Sequence, residues 1–256
     1  MMELSTDAIL GKVVNLSRRL DLGQGARLLD IGSGTGALIS LMQVAHPGLA
    51  TAACDYTDTL MTLPDQKVDV TDLNEMALPY EAEHFDLVTC TEVIEHLENY
   101  RHLVREVFRV TRPGGTAIFT TPNVLNLNSR IRFFLFGFWN LFGPLPIGRD
   151  ESYSTVGHIT PVSYFYLAHA LAEAGFTVAG FEVDKLQRSA VPKLMLWWPF
   201  IGLFGWLARR REVRKYQTIN AGNRVLVETM NSWKMLLGRT IVVVAVREGK
   251  ACGPLE

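Results

Sequence analysis

The stretch ARLLDIGSGTGALISLMQVAH, residues 26–46, decides the fold of this chain. Its first six residues, with apolar Leu28, Leu29 and Ile31, fit a short buried strand, and its last ten follow the period of a helix. Glycines at 32, 34 and 36 separate the two, where a backbone without Cβ atoms can turn sharply and approach a ligand. The helix behind this loop presents free N–H groups at its N-terminus. The order predicts a ligand-binding strand, loop and helix.

Strand and helix patterns alternate along the rest of the chain, which predicts an α/β protein with a mostly parallel sheet covered on both faces. Ser5 to Asp7 are expected to cap the first helix. The predicted strands after the opening unit are 49–56, 85–90, 116–123, 176–185 and 239–248, and the predicted helices are 4–20, 92–111 and 161–175.

Composition limits the class of protein. The 256 residues are 48% hydrophobic and 20% charged, and the net charge is −1. A nucleic-acid partner is therefore not expected unless a local basic patch exists. Three cysteines without a CxxC pair suggest neither a disulfide framework nor a structural zinc site. The N-terminus lacks a basic segment followed by an apolar core, so we expect no signal peptide and a cytoplasmic location.

The loop spacing and two acids narrow the ligand. The glycines follow GxGxG and not the GxGxxG of dinucleotide-binding loops, which disfavours an NAD-dependent oxidoreductase. A Walker lysine is absent, which excludes a P-loop. Asp30 lies at the end of the first strand. Asp55 ends the second strand, where a carboxylate can accept hydrogen bonds from a ribose diol.

Four ordered motifs resemble class I S-adenosylmethionine-dependent methyltransferases, and most closely their type-11/type-12 small-molecule group. They are LLDIGSGTG, the acid in CDY, LPYEAEHFDLVTCTEVIEHL and VFRVTRPGGTAIFTTPN. The resemblance implies one domain over residues 1–256 with a Rossmann-like seven-stranded sheet whose last strand is antiparallel. The expected parts are a core at 20–125 and 160–248, a lid at 126–158 and an apolar-basic insertion at 186–238.

The resemblance also implies which residues hold S-adenosylmethionine. The glycine loop with Asp30 would cradle the methionine moiety, Asp55 would bind the ribose, and Thr91 would lie near the sulfonium. Asp72 would meet the adenine amino group with Leu73 beside the ring, although Asp69 competes for that role. The complete expected set is Asp30, Gly32, Ser33, Gly34, Gly36, Asp55, Asp72, Leu73 and Thr91.

The stretch TEVIEH, residues 91–96, holds a second candidate site. On the predicted helix Glu92, Glu95 and His96 share one face, turned toward the strand ends. The resemblance extends here to ubiquinone-pathway O-methyltransferases and to enzymes that methylate a terminal ribose of small RNAs, which implies a divalent cation held with His158. A metal-free site is an alternative, in which His96, His158 or Glu92 orients or deprotonates the acceptor. Acids that only stabilise a helix N-terminus are the third interpretation.

The second half contains two apolar segments. Residues 133–142, FFLFGFWNLF, are expected to form a lid packed on the core, with an inner face that lines an acceptor pocket. Residues 194–208 carry no charge but are shorter than the ~20 residues of a membrane-spanning helix. A basic run at 209–215 follows them. An anchor on an anionic membrane, a buried insertion or a dimer face, and a small nucleic-acid patch all remain open. The oligomeric state is not predicted.

The expected activity is O-methylation of a small amphipathic or lipid-like acceptor. A metal-dependent RNA terminal ribose 2'-O-methyltransferase and a non-catalytic, membrane-associated cofactor-binding module are the alternatives.

Overall fold

One seven-stranded sheet forms the centre of the molecule, in the order β3-β2-β1-β4-β5-β7-β6. The computed structural model describes residues 7–145, 147 and 157–249. The strands are β1 (Arg27–Ile31), β2 (Ala50–Asp55), β3 (Val68–Val70), β4 (Phe85–Thr91), β5 (Thr111–Pro122), β6 (Phe176–Val183) and β7 (Thr240–Arg247).

The strand directions confirm the expected fold class. Strands β1 to β5 pair in parallel, whereas β7 runs antiparallel to both β5 and β6. Strand β3 lies in a segment where the sequence showed no strand, because three residues are too few to display an alternating pattern. Pairing with β2 alone defines it.

Helices cover both faces of the sheet. They are α1 (Asp7–Ser17), α2 (Ala37–Ala45), α3 (Tyr100–Val110), α4 (Leu127–Phe136), α5 (Tyr164–Ala174), α6 (Val191–Arg211), α7 (Arg224–Thr229) and α8 (Trp233–Leu237). Helices α1 and α2 pack on Leu28 of β1, while α3 and α5 pack on the other face with Leu29 and Ile31. Of the predicted helix caps, only Asp7 lies within the described residues.

The long helix predicted at 92–111 is wrong. A 3-10 turn at Ile94–His96 and an extended break come first, and α3 begins only at Tyr100. The side chain of Asn99 accepts a hydrogen bond from the backbone N–H of His102 and so caps α3. Glu92 has a φ of 55°, which no helix residue adopts. The common helical face of Glu92, Glu95 and His96 therefore does not exist.

The expectation for the segment after β6 also needs correction. Helix α6 is a continuous helix of 21 residues that includes Pro199. It therefore extends beyond the uncharged stretch at 194–208 in both directions. None of its residues is buried, which contradicts a packed core insertion. The aromatic segment at 133–142 is likewise not packed throughout: Phe134 is 84% exposed, whereas Phe142 is buried. The domain boundaries stay predictions.

Candidate active site

The carboxyl ends of four parallel strands meet at one edge of the sheet and hold most of the predicted site residues. The register pairs Ile31 with both Cys54 and Cys90, and Thr91 with Thr120. Ligands of open α/β sheets bind outside this edge, where the strand order reverses. Here the order reverses between β1 and β4, directly beside the glycine loop.

The glycine loop has a backbone that only glycine adopts easily. Gly32, Gly34 and Gly36 have φ values of 69°, 49° and 81°. A Cβ on Gly32 would lie 2.2 Å from Cγ2 of Val93. One on Gly36 would lie 2.7 Å from Sδ of Met61. The protein's own packing therefore requires these two glycines, a reason that the sequence pattern did not reveal.

Asp30 is buried at the base of the loop. Its carboxylate accepts a hydrogen bond of 2.8 Å from the hydroxyl of Thr89. Burial raises the pKa of Asp30 to about 7, despite that hydrogen bond. The carboxyl group can therefore change its charge near neutral pH, depending on what lies beside it.

Asp55 ties the second strand to the loop. One carboxylate oxygen accepts the backbone N–H of Gly34 at 2.8 Å, and the other accepts that of Tyr56 at 2.7 Å. Each carboxylate oxygen has a further lone pair, so Asp55 can still accept a hydroxyl. Its orientation is set before any ligand arrives.

Two acids competed for the adenine position, and the structure separates them. Asp69 lies within β3 and forms an ion pair of 2.9 Å with Lys67, whose hydrogen bond lowers the pKa of Asp69. Asp72 follows β3, is exposed, and accepts only the backbone N–H of Asn74. Leu73 beside it is buried. Of the two acids, Asp72 is the more exposed.

Ser33 and Thr91 are the most informative residues of this edge. Both are buried, and neither hydroxyl has a hydrogen-bond partner in the described structure. Ile31 of β1 pairs with Cys90 of β4 in the sheet. Ser33 lies two residues after Ile31, and Thr91 lies one residue after Cys90, so both hydroxyl residues lie at the same end of these neighbouring strands. Buried hydroxyls without partners are rare in folded proteins and call for a ligand or an ordered water. They flank the loop where the methionine moiety is expected.

Glu92 lies beside this edge but apart from the histidines. Its carboxylate accepts the hydroxyl of Thr120 at 3.0 Å. Burial raises its pKa to about 7, with Arg239 acting in the opposite direction. Glu92 is absent from the group of possible metal ligands among the described residues, so the predicted four-residue set is not brought together.

The other three predicted ligands do converge. Ligand atoms of Glu95, His96 and His158 all lie within 4.8 Å of one another, and the two imidazole rings are 4.8 Å apart between centroids. Glu95 is fully buried, in contrast to the predicted outward helix face. One of its oxygens accepts the hydroxyl of Thr121, and the other has no partner. The Nδ1 atom of His158 is also buried without a partner.

The protonation states of this cluster follow from its burial. Desolvation lowers the pKa of His158 to about 4, and lowers that of His96 as well. Both imidazoles are thus neutral at pH 7. His96 Nδ1 lies 3.0 Å from the carbonyl oxygen of Gly157, which identifies Nδ1–H as the donor and leaves Nε2 with a lone pair. Desolvation raises the pKa of Glu95 well above its ordinary range.

Several residues of the site carried no signal in the sequence. Thr89, Thr120 and Thr121 donate hydrogen bonds to the carboxyl groups of Asp30, Glu92 and Glu95, yet threonine in a strand is ordinary. Asp184 and Arg239 lie far apart in the chain and form an ion pair of 2.6 Å beside Glu92. Only strand pairing could have placed them there.

The fold and this edge define a Rossmann-like α/β protein of the S-adenosylmethionine-dependent methyltransferase type. A solved S-adenosylmethionine-dependent methyltransferase from Archaeoglobus fulgidus superimposes with a TM-score of 0.55 at 18% identity, covering 93% of this chain and 94% of that one. At this identity the likeness concerns the fold alone.

The family is shown by the sequence. The family model described as "Methyltransferase domain" matches residues 9–179, about two thirds of the chain, and the chain belongs to this family. The class inferred from the glycine loop and the ordered motifs is thereby confirmed.

Curated relatives carry the name demethylmenaquinone methyltransferase. One from Corynebacterium glutamicum is 33% identical over 109 residues, which are 41% of this chain and 46% of the relative. Another from Corynebacterium urealyticum is 29% identical over 158 residues, which are 60% and 63%. The chain spans about half the length of the curated relatives it matches.

Proposed function

We propose that this protein transfers a methyl group from S-adenosylmethionine to a small amphipathic acceptor. The observation that carries the proposal is the pair of unpartnered buried hydroxyls, Ser33 and Thr91, beside a glycine loop at the switch point of the sheet. Membership of the methyltransferase-domain family supports it independently.

The residues present fit the donor. Asp55, already oriented by Gly34, would accept the ribose hydroxyls, and Asp72 with Leu73 would receive the adenine. Ser33 and Thr91 would gain partners in the methionine moiety. A cationic ligand near Asp30 would favour the ionised carboxylate, which burial otherwise opposes. When bound, the sulfonium supplies an activated methyl group, so the protein mainly has to align the acceptor and exclude water.

The proposed acceptor is apolar or lipid-like, of the quinone kind. The names of the relatives point in this direction, and so does Phe142, whose ring lies 5.1 Å from that of His158. Transfer to an oxygen requires that its proton be taken up. His158 and His96, both neutral, are the proposed acceptor-orienting groups, with His96 Nε2 or His158 Nδ1 as the base.

Calorimetry tests the donor. We expect S-adenosylhomocysteine to bind and NAD not to bind. Replacing Asp72 by Ala should weaken S-adenosylhomocysteine by about tenfold, since one charge-assisted hydrogen bond is lost. The matched variant Asp69→Ala should bind normally because Asp69 is engaged with Lys67. Binding of NAD without S-adenosylhomocysteine would overturn the proposal.

Turnover with isotopically labelled donor and demethylmenaquinone, in oxidised and reduced form, tests the acceptor class. Mass spectrometry of the product then identifies the methylated atom. Donor binding without transfer to quinone, lipid or RNA acceptors would favour the non-catalytic module instead.

A divalent cation is the second candidate feature, and three observations favour it. Glu95, His96 and His158 converge, two of their polar atoms are unpartnered, and the imidazoles are neutral. Neutral imidazole and carboxylate oxygen form a good ligand set for divalent ions, and a bound cation would favour the ionised form of Glu95 that burial opposes. If such an ion is held there, it would lower the pKa of an acceptor hydroxyl.

Metal analysis and turnover after chelation test the cation. We expect His158→Ala to lose Mn²⁺ binding, while the matched exposed variant His169→Ala keeps it. Unchanged turnover in EDTA with no bound metal would leave the metal-free acceptor site. Metal-dependent transfer to an RNA 3' end, without transfer to quinones, would favour the terminal ribose methyltransferase.

We also propose a cytoplasmic location with peripheral attachment to the membrane, because a lipid-like acceptor resides there. Cell fractionation with an epitope-tagged chain tests this.

A further inference from the structure

Helix α6 leaves most of its apolar surface in contact with solvent. A π-helical turn, Glu212–Tyr216, follows α6 directly. Over the helix and this turn, residues 191–216, four residues are half-buried and all the others are exposed. The half-buried residues are Leu194, Ile201, Gly205 and Glu212. Their spacing of seven, four and seven places them in one stripe. A single narrow stripe therefore faces the domain along the whole helix.

The contacts of that stripe fix the orientation of the helix. Leu194 and Ile201 pack against Leu127, Ile131 and Leu237 of the domain. A Cβ built on Gly205 would lie 3.0 Å from the side chain of Asn231. Near the C-terminal end, Trp206 and Val213 line a common cleft with Ile219 and Val227. Helix α6 therefore lies along the domain surface and does not project from it.

This arrangement is incompatible with a spanning helix. The stretch Arg188–Tyr216 is long and apolar enough to cross a membrane by length and composition. A spanning helix has one end on each side of the bilayer, about 30 Å apart. Here both ends contact the same domain, through the buried Ala190 and through the cleft with α7.

The exposed side of α6 has the composition of a membrane interface. Two of its tryptophans, Trp197 and Trp198, are 45% and 51% exposed, and Phe204 is 60% exposed. Helix α4 packs beside α6 through Leu127 and Ile131, and its last residues expose further apolar side chains. These are Phe133, Phe134, Leu135 and Phe136, all exposed. Large apolar side chains exposed together on two neighbouring helices mark an interaction site.

A cationic cleft adjoins this apolar surface. It has a volume of about 270 Å³ and lies between the C-terminal end of α6 and helix α7. Four arginines line it with a single acid, Glu228, and none of the four forms an ion pair among the described residues. They are Arg209, Arg210, Arg214 and Arg224. Guanidinium groups bind phosphate oxygens in fork geometry.

The topology places this surface at the edge of the candidate active site. Strand β6 ends and β7 begins at the edge where β5 ends, since Pro122 pairs with Thr240 and Val183 with Ile241. The insertion that carries α6 therefore leaves and re-enters the domain beside the predicted acceptor site. Helix α4 follows the end of β5 by four residues.

We propose that α6 and the end of α4 dock on an anionic phospholipid bilayer, with α6 parallel to the membrane plane and the arginine cleft holding lipid phosphates. Five cations between 209 and 215, against Glu212 alone, complement an anionic surface. A second copy of the same surface would offer these cations only Glu212 and Glu228 as acidic partners, which favours the anionic bilayer as the occupant. The docking is a property of the surface and does not require methyl transfer.

Vesicle flotation of the full chain tests the partner. The wild type should float with vesicles of phosphatidylcholine and 30% phosphatidylglycerol, and about tenfold less with phosphatidylcholine alone. Trp197→Asp/Trp198→Asp and Arg209→Glu/Arg210→Glu should each reduce binding by about tenfold or more. Matched exposed variants elsewhere, Tyr166→Asp and Arg18→Glu/Arg19→Glu, should bind as the wild type. Binding independent of both surface variants would overturn the proposal, as would a concentration-dependent dimer abolished by them in the absence of lipid.

Fluorescence quenching by lipids brominated at different depths tests the orientation. Variants that retain only Trp197 or only Trp206 report two points nine residues apart, or about 13 Å along a helix. Equal shallow depths are expected for the parallel helix. Depths that differ by about that length would show a crossing helix and overturn the orientation.

Discussion

At the scale of single residues, the glycine loop shows that a sequence pattern does not reveal why each of its residues is needed. Three glycines predicted a loop that approaches a ligand, and the loop is present. Two of the three are nevertheless required by neighbours of the same chain, Val93 and Met61. The residues that indicate a ligand are Ser33 and Thr91, whose buried hydroxyls have no hydrogen-bond partner in the described structure. The pattern GxGxG does not single them out.

The first residue-scale prediction concerns Gly32. Replacement by Ala should lower the free energy of unfolding by about 3 kcal/mol, from left-handed strain of about 1–2 kcal/mol and overpacking against Val93 of about 1–3 kcal/mol. Gly25→Ala is the matched control, because its φ of 74° is similar and no atom lies within 4 Å of the added Cβ. Urea denaturation measures both. Adding Val93→Ala should relieve only the overpacking, and equal effects of the two glycine variants would contradict the clash.

The second residue-scale prediction concerns pH. The pKa of Asp30 is about 7 in the folded chain, above its ordinary 3.8, so the folded state binds more protons between these values. The free energy of unfolding should therefore fall as pH rises from about 4 to about 7, and then stay level. The size is at most about 4 kcal/mol.

Thermal denaturation of the ligand-free protein between pH 4.5 and 8 measures this slope. Asp30→Asn should flatten it and raise stability at pH 8, since the amide still accepts from Thr89 and carries no charge. Glu92→Gln should remove a further part of the pH dependence of stability, because the pKa of Glu92 is also raised to about 7. A profile for Asp30→Asn parallel to the wild type would show that Asp30 does not titrate in this range.

At the scale of elements, the sequence located six of the seven strands and four of the eight helices that the structure describes, and it failed at several of their ends. A helical period continues through 92–111, yet Glu92 adopts a left-handed backbone and Asn99 caps a later start. The helical period could not show this, because Glu92 is held by a residue distant in the sequence. Its backbone N–H donates a hydrogen bond to the hydroxyl of Thr120. The same turn carries Glu95 inward to His158.

Helix α6 gives the element-scale prediction. Trp197→Asp/Trp198→Asp should change the free energy of unfolding by less than about 1 kcal/mol, because about half of each residue is exposed, neither belongs to a buried cluster, and surface changes have small effects. Leu171→Ala on α5, fully buried, should cost about 2–5 kcal/mol. Chemical denaturation in the absence of lipid compares them. A large loss in the tryptophan variant would mean that α6 contributes to the core.

At the scale of the whole molecule, strand pairing assembles the site and the proposed docking surface at one edge. Parallel strands end together there, and the antiparallel β7 returns the insertion to the same place. The ion pair of Asp184 with Arg239 closes the neck of the insertion beside Glu92.

Hydrogen exchange should distinguish the stable central sheet from the exposed helix α6. Amides of β1, β4 and β5, in the middle of the sheet, should exchange most slowly, and those of α6 should exchange through local opening well before global unfolding. Anionic vesicles should slow exchange in α6 and at the end of α4, with the sheet unchanged. Phosphatidylcholine vesicles are the control, and uniform slowing over the chain would contradict a local docking surface.

The sequence by itself determined the α/β fold, the glycine loop, the acids at the strand ends and the methyltransferase family, because these depend on local periodicity and short motifs. It could not determine which acids are buried, that Glu92 separates from His96, or that Glu95 and His158 converge. Nor could it show that α6 lies flat beside the site. Those properties arise from pairing between residues distant in the chain, which fixes desolvation, proximity and orientation only once the sheet is assembled.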